Sequence, residues 1–93
     1  MSNRKYYILL NSFSQKQNSL TREEALLLLK NLNFTIRPTY NGHVVAANSK
    51  LKDSKFLELK SGTITFGFHD KYVDPAGYRH LKQVLTHLKV PYK

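Results

Sequence analysis

Four side chains in this sequence can exchange a proton near neutral pH: His43, His69, His80 and His87. An imidazole titrates between about pH 5 and 8, so each is a candidate general base or acid. His43 stands out by position. It follows Asn41-Gly42, a pair that accepts the positive φ of a tight hairpin turn, which puts the ring at the mouth of a hairpin where a ligand can reach it. His69 precedes the helix start at Asp74 and is a secondary candidate, placed to cap or position that helix. His80 and His87 are seven residues apart and share a helix face, which suits a proton or phosphate contact and equally a solvated edge. A strand histidine such as His43 is itself open to two readings, a reacting group or plain polar surface.

Other chemistries are excluded or disfavoured. The chain has no cysteine, so it has no disulfide, thiolate ligand or cysteine nucleophile. The histidine spacings fit no compact zinc pattern and no carboxylate is conveniently placed beside them, so neither a metal nor another cofactor is expected. There is no glycine-rich phosphate loop and no serine-centred nucleophile motif. Glu23 and Glu24 follow Thr21 as a helix start does, and are read as capping groups rather than as an acid pair.

The charge points to the partner. Fifteen Lys and Arg against six Asp and Glu give a net charge of +9, which suits a polyanion. No acid occurs between Glu24 and Asp53 or after Asp74, and these two intervals contain Arg37, Lys50, Lys52, Arg79 and Lys82. Together with Lys55 they are the candidate phosphate contacts, with Tyr40 as a ring on which a base could stack. A highly charged solvated surface is the alternative. The apolar run Tyr6 to Leu10 is too short for a signal peptide or a membrane span, so a soluble, cytoplasmic protein is expected.

These groups must be held by secondary structure. Ninety-three residues form a single domain with a modest core. Lys5 to Leu10 reads as a strand, and Asn11 to Ser19 as a polar loop anchored by Phe13. Thr21-Arg22-Glu23-Glu24 has the form of a capping box, opening a leucine-rich helix. Phe34 to Arg37 alternates apolar with polar and reads as a strand, limited by Pro38; Thr39 to Gly42 turns, and His43 to Asn48 returns. Asn48 to Lys55 reads as an irregular connection with Leu51 tucked in. Phe56 to Lys60 and Thr63 to Phe68 form a second hairpin about Ser61-Gly62. Asp74-Pro75 starts a second helix, whose inner face is Tyr78, Leu81, Val84, Leu85 and Leu88, and Pro91 stops it. The expected fold class is α+β, a small antiparallel sheet of three to four strands backed by two helices in the order α-β-β-β-α, with an additional N-terminal strand.

From about Thr21 to Val90 this pattern resembles the HicA toxins, small basic members of toxin–antitoxin pairs with a fold similar to the double-stranded-RNA-binding domain. The resemblance is carried by the leucine-rich helix and Asn33-Phe34-Thr35-Ile36, by Asn41-Gly42-His43-Val44-Val45, by Ile64-Thr65-Phe66-Gly67-Phe68-His69, and by Gly77 to Leu85. In that family a Gly-Ser-His segment at the start of the second strand supplies the histidine needed to cleave RNA, and His43 falls at that place. Here Asn41-Gly42 replaces Gly-Ser, Gly67 stands where the family often has proline, Asn48 to Lys60 is an insertion, and Met1 to Leu20 lies outside the match.

The resemblance implies a metal-independent endoribonuclease acting through His43, partnered by an acidic antitoxin-like protein. Arg37, Lys50 or Lys52 would stabilise the phosphorane. The alternative is a non-catalytic module or small regulator, monomeric or homodimeric, that presents its basic face to RNA or DNA.

Overall fold

In the computed structural model, which describes residues 4–38 and 42–93, the first element is a helix, α1 (Arg4–Asn11), and not the strand expected over Lys5 to Leu10. Tyr6, Leu9 and Leu10 are buried, while Tyr7 and Ile8 are 58% and 57% exposed. Buried positions three and four apart lie on one side of a helix, whereas a strand would bury alternate residues. A 3-10 turn (Phe13–Lys16) follows and drives Phe13 fully into the core. There the Phe13 ring stacks on Tyr78 with centroids 4.8 Å apart and meets Tyr92 edge-on at 5.3 Å. The Tyr78 hydroxyl donates to the Phe13 carbonyl at 2.6 Å.

The capping box opens α2 (Arg22–Asn31) as its residue types require: the Glu24 N–H donates to Thr21 Oγ1 at 3.2 Å, and the Thr21 N–H donates to Glu24 Oε1 at 2.9 Å. Lys16 Nζ lies 2.9 Å from the other Glu24 oxygen. Ala25, Leu28 and Leu29 are buried, and the chain leaves the helix through Asn33 at φ +66°.

Three strands make the main sheet, in the order β1 (Thr35–Pro38), β2 (Val44–Ala47) and β3 (Thr63–Phe66), all antiparallel. Val44, Ala46, Ile64 and Phe66 face the core, while Thr35, Arg37, Thr63 and Thr65 are exposed. The turn residues Thr39, Tyr40 and Asn41 lie outside the described residues; Gly42 has φ +73°, the left-handed conformation expected of a tight turn.

The second expected hairpin is not formed. β3 pairs directly with β2, Ala47 opposite Thr63, and Phe56 to Lys60 contains a 3-10 turn (Leu57–Leu59) instead of a strand. Asn48 to Lys55 is likewise ordered as a 3-10 turn (Ser49–Asp53), capped by the Asn48 side chain accepting from the Lys50 N–H at 3.0 Å. Polar side chains that bond their own backbone favour such turns over a ladder. Leu51 and Leu59, one from each turn, are fully buried, so burial of two leucines outweighs the strand propensity of the segment.

The strand expected over Thr63 to Phe68 stops at Phe66 and resumes after Gly67 as β4 (Phe68–His69), which pairs with β5 (Tyr72–Val73) through a two-residue turn with Asp70 at φ +56°. This hairpin is tied to the start of α2: Val73 N–H donates to Leu20 O at 2.8 Å and Arg22 N–H to Lys71 O at 3.1 Å. Asp74 then caps α3 (Pro75–His87), its Oδ1 accepting from the Gly77 N–H at 2.7 Å. Tyr78, Leu81, Val84 and Leu85 are buried. The fold is therefore α+β, as expected, with three helices, a three-stranded antiparallel sheet and a separate two-stranded one among the described residues. Among the described residues no helix is long and apolar enough to cross a membrane.

Candidate functional site

His43 is the residue immediately before β2 and is exposed. Because Val44 pairs with Phe66, the neighbouring residue on the partner strand is Gly67. A Cβ built on Gly67 would stand 3.1 Å from His43 Nε2, 3.3 Å from His43 Cδ2 and 2.7 Å from Asp74 Oδ2. An edge of the imidazole and one oxygen of the carboxylate thus both crowd the buried Gly67, where a side chain would have no room. Asp74 is held there twice: its N–H donates to Gly67 O at 3.0 Å, and its Oδ1 is occupied by the helix cap.

The same histidine lines a cleft of about 360 Å³ with Arg22, Glu23, Gly42, Phe68, Asp70 and Lys71. The Arg22 guanidinium lies over the Phe68 ring, 5.3 Å from its centroid, and the Lys71 ammonium lies 5.4 Å from the centroid of Tyr72. The cleft therefore carries both signs, with two cations able to meet a phosphate and two carboxylates, Glu23 and Asp70, at its edge.

The cations singled out from sequence are placed elsewhere. Arg37 is exposed on β1 opposite Val45. Lys50 and Lys52 lie in the turn beyond the far end of β2; from His43 to Asn48 is five residues of extended chain, on the order of 15 Å. The turn is fixed to α3 by a 2.7 Å contact between His87 Nε2 and the Lys50 carbonyl oxygen, which gives His87 a structural task. Lys55 lies over Phe56, 5.6 Å from its centroid. Arg79 and Lys82 are exposed on the outer side of α3, Lys82 above Tyr78 at 6.0 Å.

Among the remaining candidates, His69 is exposed on β4 opposite Tyr72, and the capping of α3 that it was expected to share belongs to Asp74. Tyr40 lies outside the described residues. His80 is half-buried, with Nδ1 enclosed and without a hydrogen-bond partner. Among the described residues no three His, Asp or Glu side chains converge as a metal-binding group. The residues that sequence reasoning missed are Asp74 as the neighbour of His43, and Arg22 and Lys71 as the cations of its cleft. Asp74 was legible only as a cap, because its second role depends on the register that sets His43 beside Gly67.

Fold and site together define a small basic α+β protein in which an exposed histidine just before β2 and a helix-capping carboxylate share Gly67 as a neighbour. A scan against protein-family models returns no match, and neither does a search of the curated proteins or of the solved structures.

Proposed function

We propose that this protein binds RNA in the cleft beside His43 and cleaves it there without a metal ion. The observation that supports this is the approach of both His43 Nε2 and Asp74 Oδ2 to Gly67, with His43 also lining the cleft that contains Arg22 and Lys71. His43 takes the proton from a ribose 2′-OH. The 2′-oxygen then bonds to phosphorus, and the bond from phosphorus to the 5′-oxygen breaks, leaving a 2′,3′-cyclic phosphate and a 5′-hydroxyl that takes its proton from water. Asp74 stabilises the imidazolium formed in the first step, and Arg22 and Lys71 the charge on the phosphorane. The resemblance to the HicA toxins leads to the same histidine and adds an acidic antitoxin-like protein as the partner that would cover these cations.

The test is incubation of labelled RNA in excess chelator with the wild-type protein and with His43→Ala. Cleavage lost in the variant supports the proposal; cleavage that survives the substitution rejects it. A second reading, a non-catalytic RNA- or DNA-binding module, is favoured by the exposed Arg79 and Lys82 on α3 and Lys89 just after it, none of which lines the cleft. It predicts salt-sensitive binding by both proteins and cleavage by neither.

A further inference from the structure

The C-terminal segment after α3 lies along α1 and forms a groove with it that the proposed reaction does not use. Its volume is about 450 Å³, and its walls include Tyr6, Tyr7 and Leu10 from α1 and Lys89, Tyr92 and Lys93 from the tail. The groove is built, not incidental. Lys93 N–H donates to Leu10 O at 2.8 Å, Ser14 N–H to Lys93 O at 2.7 Å, and Val90 N–H to Leu85 O at 2.9 Å. Tyr92 packs edge-on against Phe13, which stacks on Tyr78, so one wall rests on the core.

Within it Tyr7 is held edge-on by Tyr6, with ring centroids 5.2 Å apart, yet is 58% exposed. An aromatic ring fixed on one side and open on the other is a stacking platform. Lys89 and Lys93 are both exposed beside it, and among the described residues no acidic side chain lines the groove. Rings flanked by lysine side chains match a ligand that is flat and apolar in one part and anionic in the next. Arg79 and Lys82 stand on the outer side of α3 between this groove and Asp74 at the other end of the helix. A helix of 13 residues spans roughly 20 Å, a reach that a short single strand can bridge.

We infer that the groove between α1 and the tail binds a single-stranded nucleotide, its base stacked on Tyr7 and its phosphate met by Lys89 and Lys93. This extends the proposed function by naming an unpaired strand as the form of nucleic acid bound, and it rests on the binding part of that reading and not on catalysis.

The chain has no tryptophan, so Tyr7→Trp introduces a single reporter at the platform. The variant is titrated with a short oligodeoxyadenylate, which lacks the 2′-OH and cannot be cleaved, and with an abasic oligomer of equal length that offers phosphates alone. The expected result is quenching of the indole by the first and not by the second, with Tyr7→Ala weakening oligodeoxyadenylate binding about ten-fold. Equal responses to the two oligomers, or unchanged affinity in Tyr7→Ala, would overturn the inference, as would tighter binding of polyglutamate than of the oligonucleotide. Cleavage of a dinucleoside phosphate, too short to reach the groove, reports on His43 alone and should be the same in Tyr7→Ala as in wild type, so the two proposals fail separately.

Discussion

The carboxylate of Asp74 and the imidazole of His43 come from positions 31 residues apart in the sequence and both crowd Gly67, 2.7 Å and 3.1 Å from where its Cβ would stand. One oxygen of Asp74 caps α3 and the other lies over Gly67 on the histidine's side of the fold. A single side chain thus couples the start of a helix to a candidate reacting group, and its two tasks are separable by mutation.

Asp74→Asn retains an acceptor for the Gly77 N–H and removes the charge; Asp74→Ala removes both. The alanine variant is expected to lose about 1 kcal/mol of stability and the asparagine variant a few tenths at most, by urea unfolding. Both are expected to lower RNA cleavage on the order of a hundred-fold. Full activity in Asp74→Asn would show that the carboxylate serves the helix only.

Gly67→Ala places a methyl group 2.7 Å from an oxygen that cannot swing away without breaking the helix cap. The expected cost is about 1–3 kcal/mol in unfolding free energy. Cleavage should fall further than that loss accounts for, since the His43 ring must also shift. Parallel unfolding and turnover measurements on the folded variant separate the two effects.

In the proposed reaction Arg22 and Lys71, which line the cleft, meet the phosphate. Replacing either with Gln is expected to lower the slope of log affinity against log salt by about one for RNA confined to the cleft, and to lower turnover about a hundred-fold. Lys50→Gln and Lys52→Gln, in the turn beyond the far end of β2, are expected to leave turnover close to wild type. Reversal of that order in a cleavage assay would move the reacting phosphate to the other end of the sheet.

The helix start at Thr21 carries a pH dependence. Burial pulls the Glu24 carboxyl upward, but the Thr21 N–H and the Lys16 ammonium outweigh it and hold the group below its ordinary value of 4.5. A carboxyl depressed on folding stabilises the native state above its unfolded value, and that contribution is lost as the pH falls through the lower folded value. Glu24→Gln, which keeps the capping hydrogen bond, is therefore expected to unfold at lower urea than wild type at about pH 6.5, and the two midpoints should converge at about pH 3. A gap that persists at the acid end would trace the difference to geometry and not to charge.

What could be read along the chain was what its local chemistry decides. Thr21 with Glu24, and Asp74 with Pro75, announced two helix starts because a cap satisfies backbone donors within three residues of itself. The alternation in β1 and β3 announced strands with one wet face, and the α+β class followed. Lys5 to Leu10 and Phe56 to Lys60 misled because so short a segment does not declare its period; only the core, by taking Tyr6, Leu9 and Leu10 from one and Leu59 from the other, selected helix and 3-10 turn. His43 was visible as a candidate from its residue type and turn. Its neighbours were not, since Gly67, Asp74, Arg22 and Lys71 reach it through strand register and the packing of the β4–β5 hairpin on α2, and such contacts between distant positions exist only once the chain has folded.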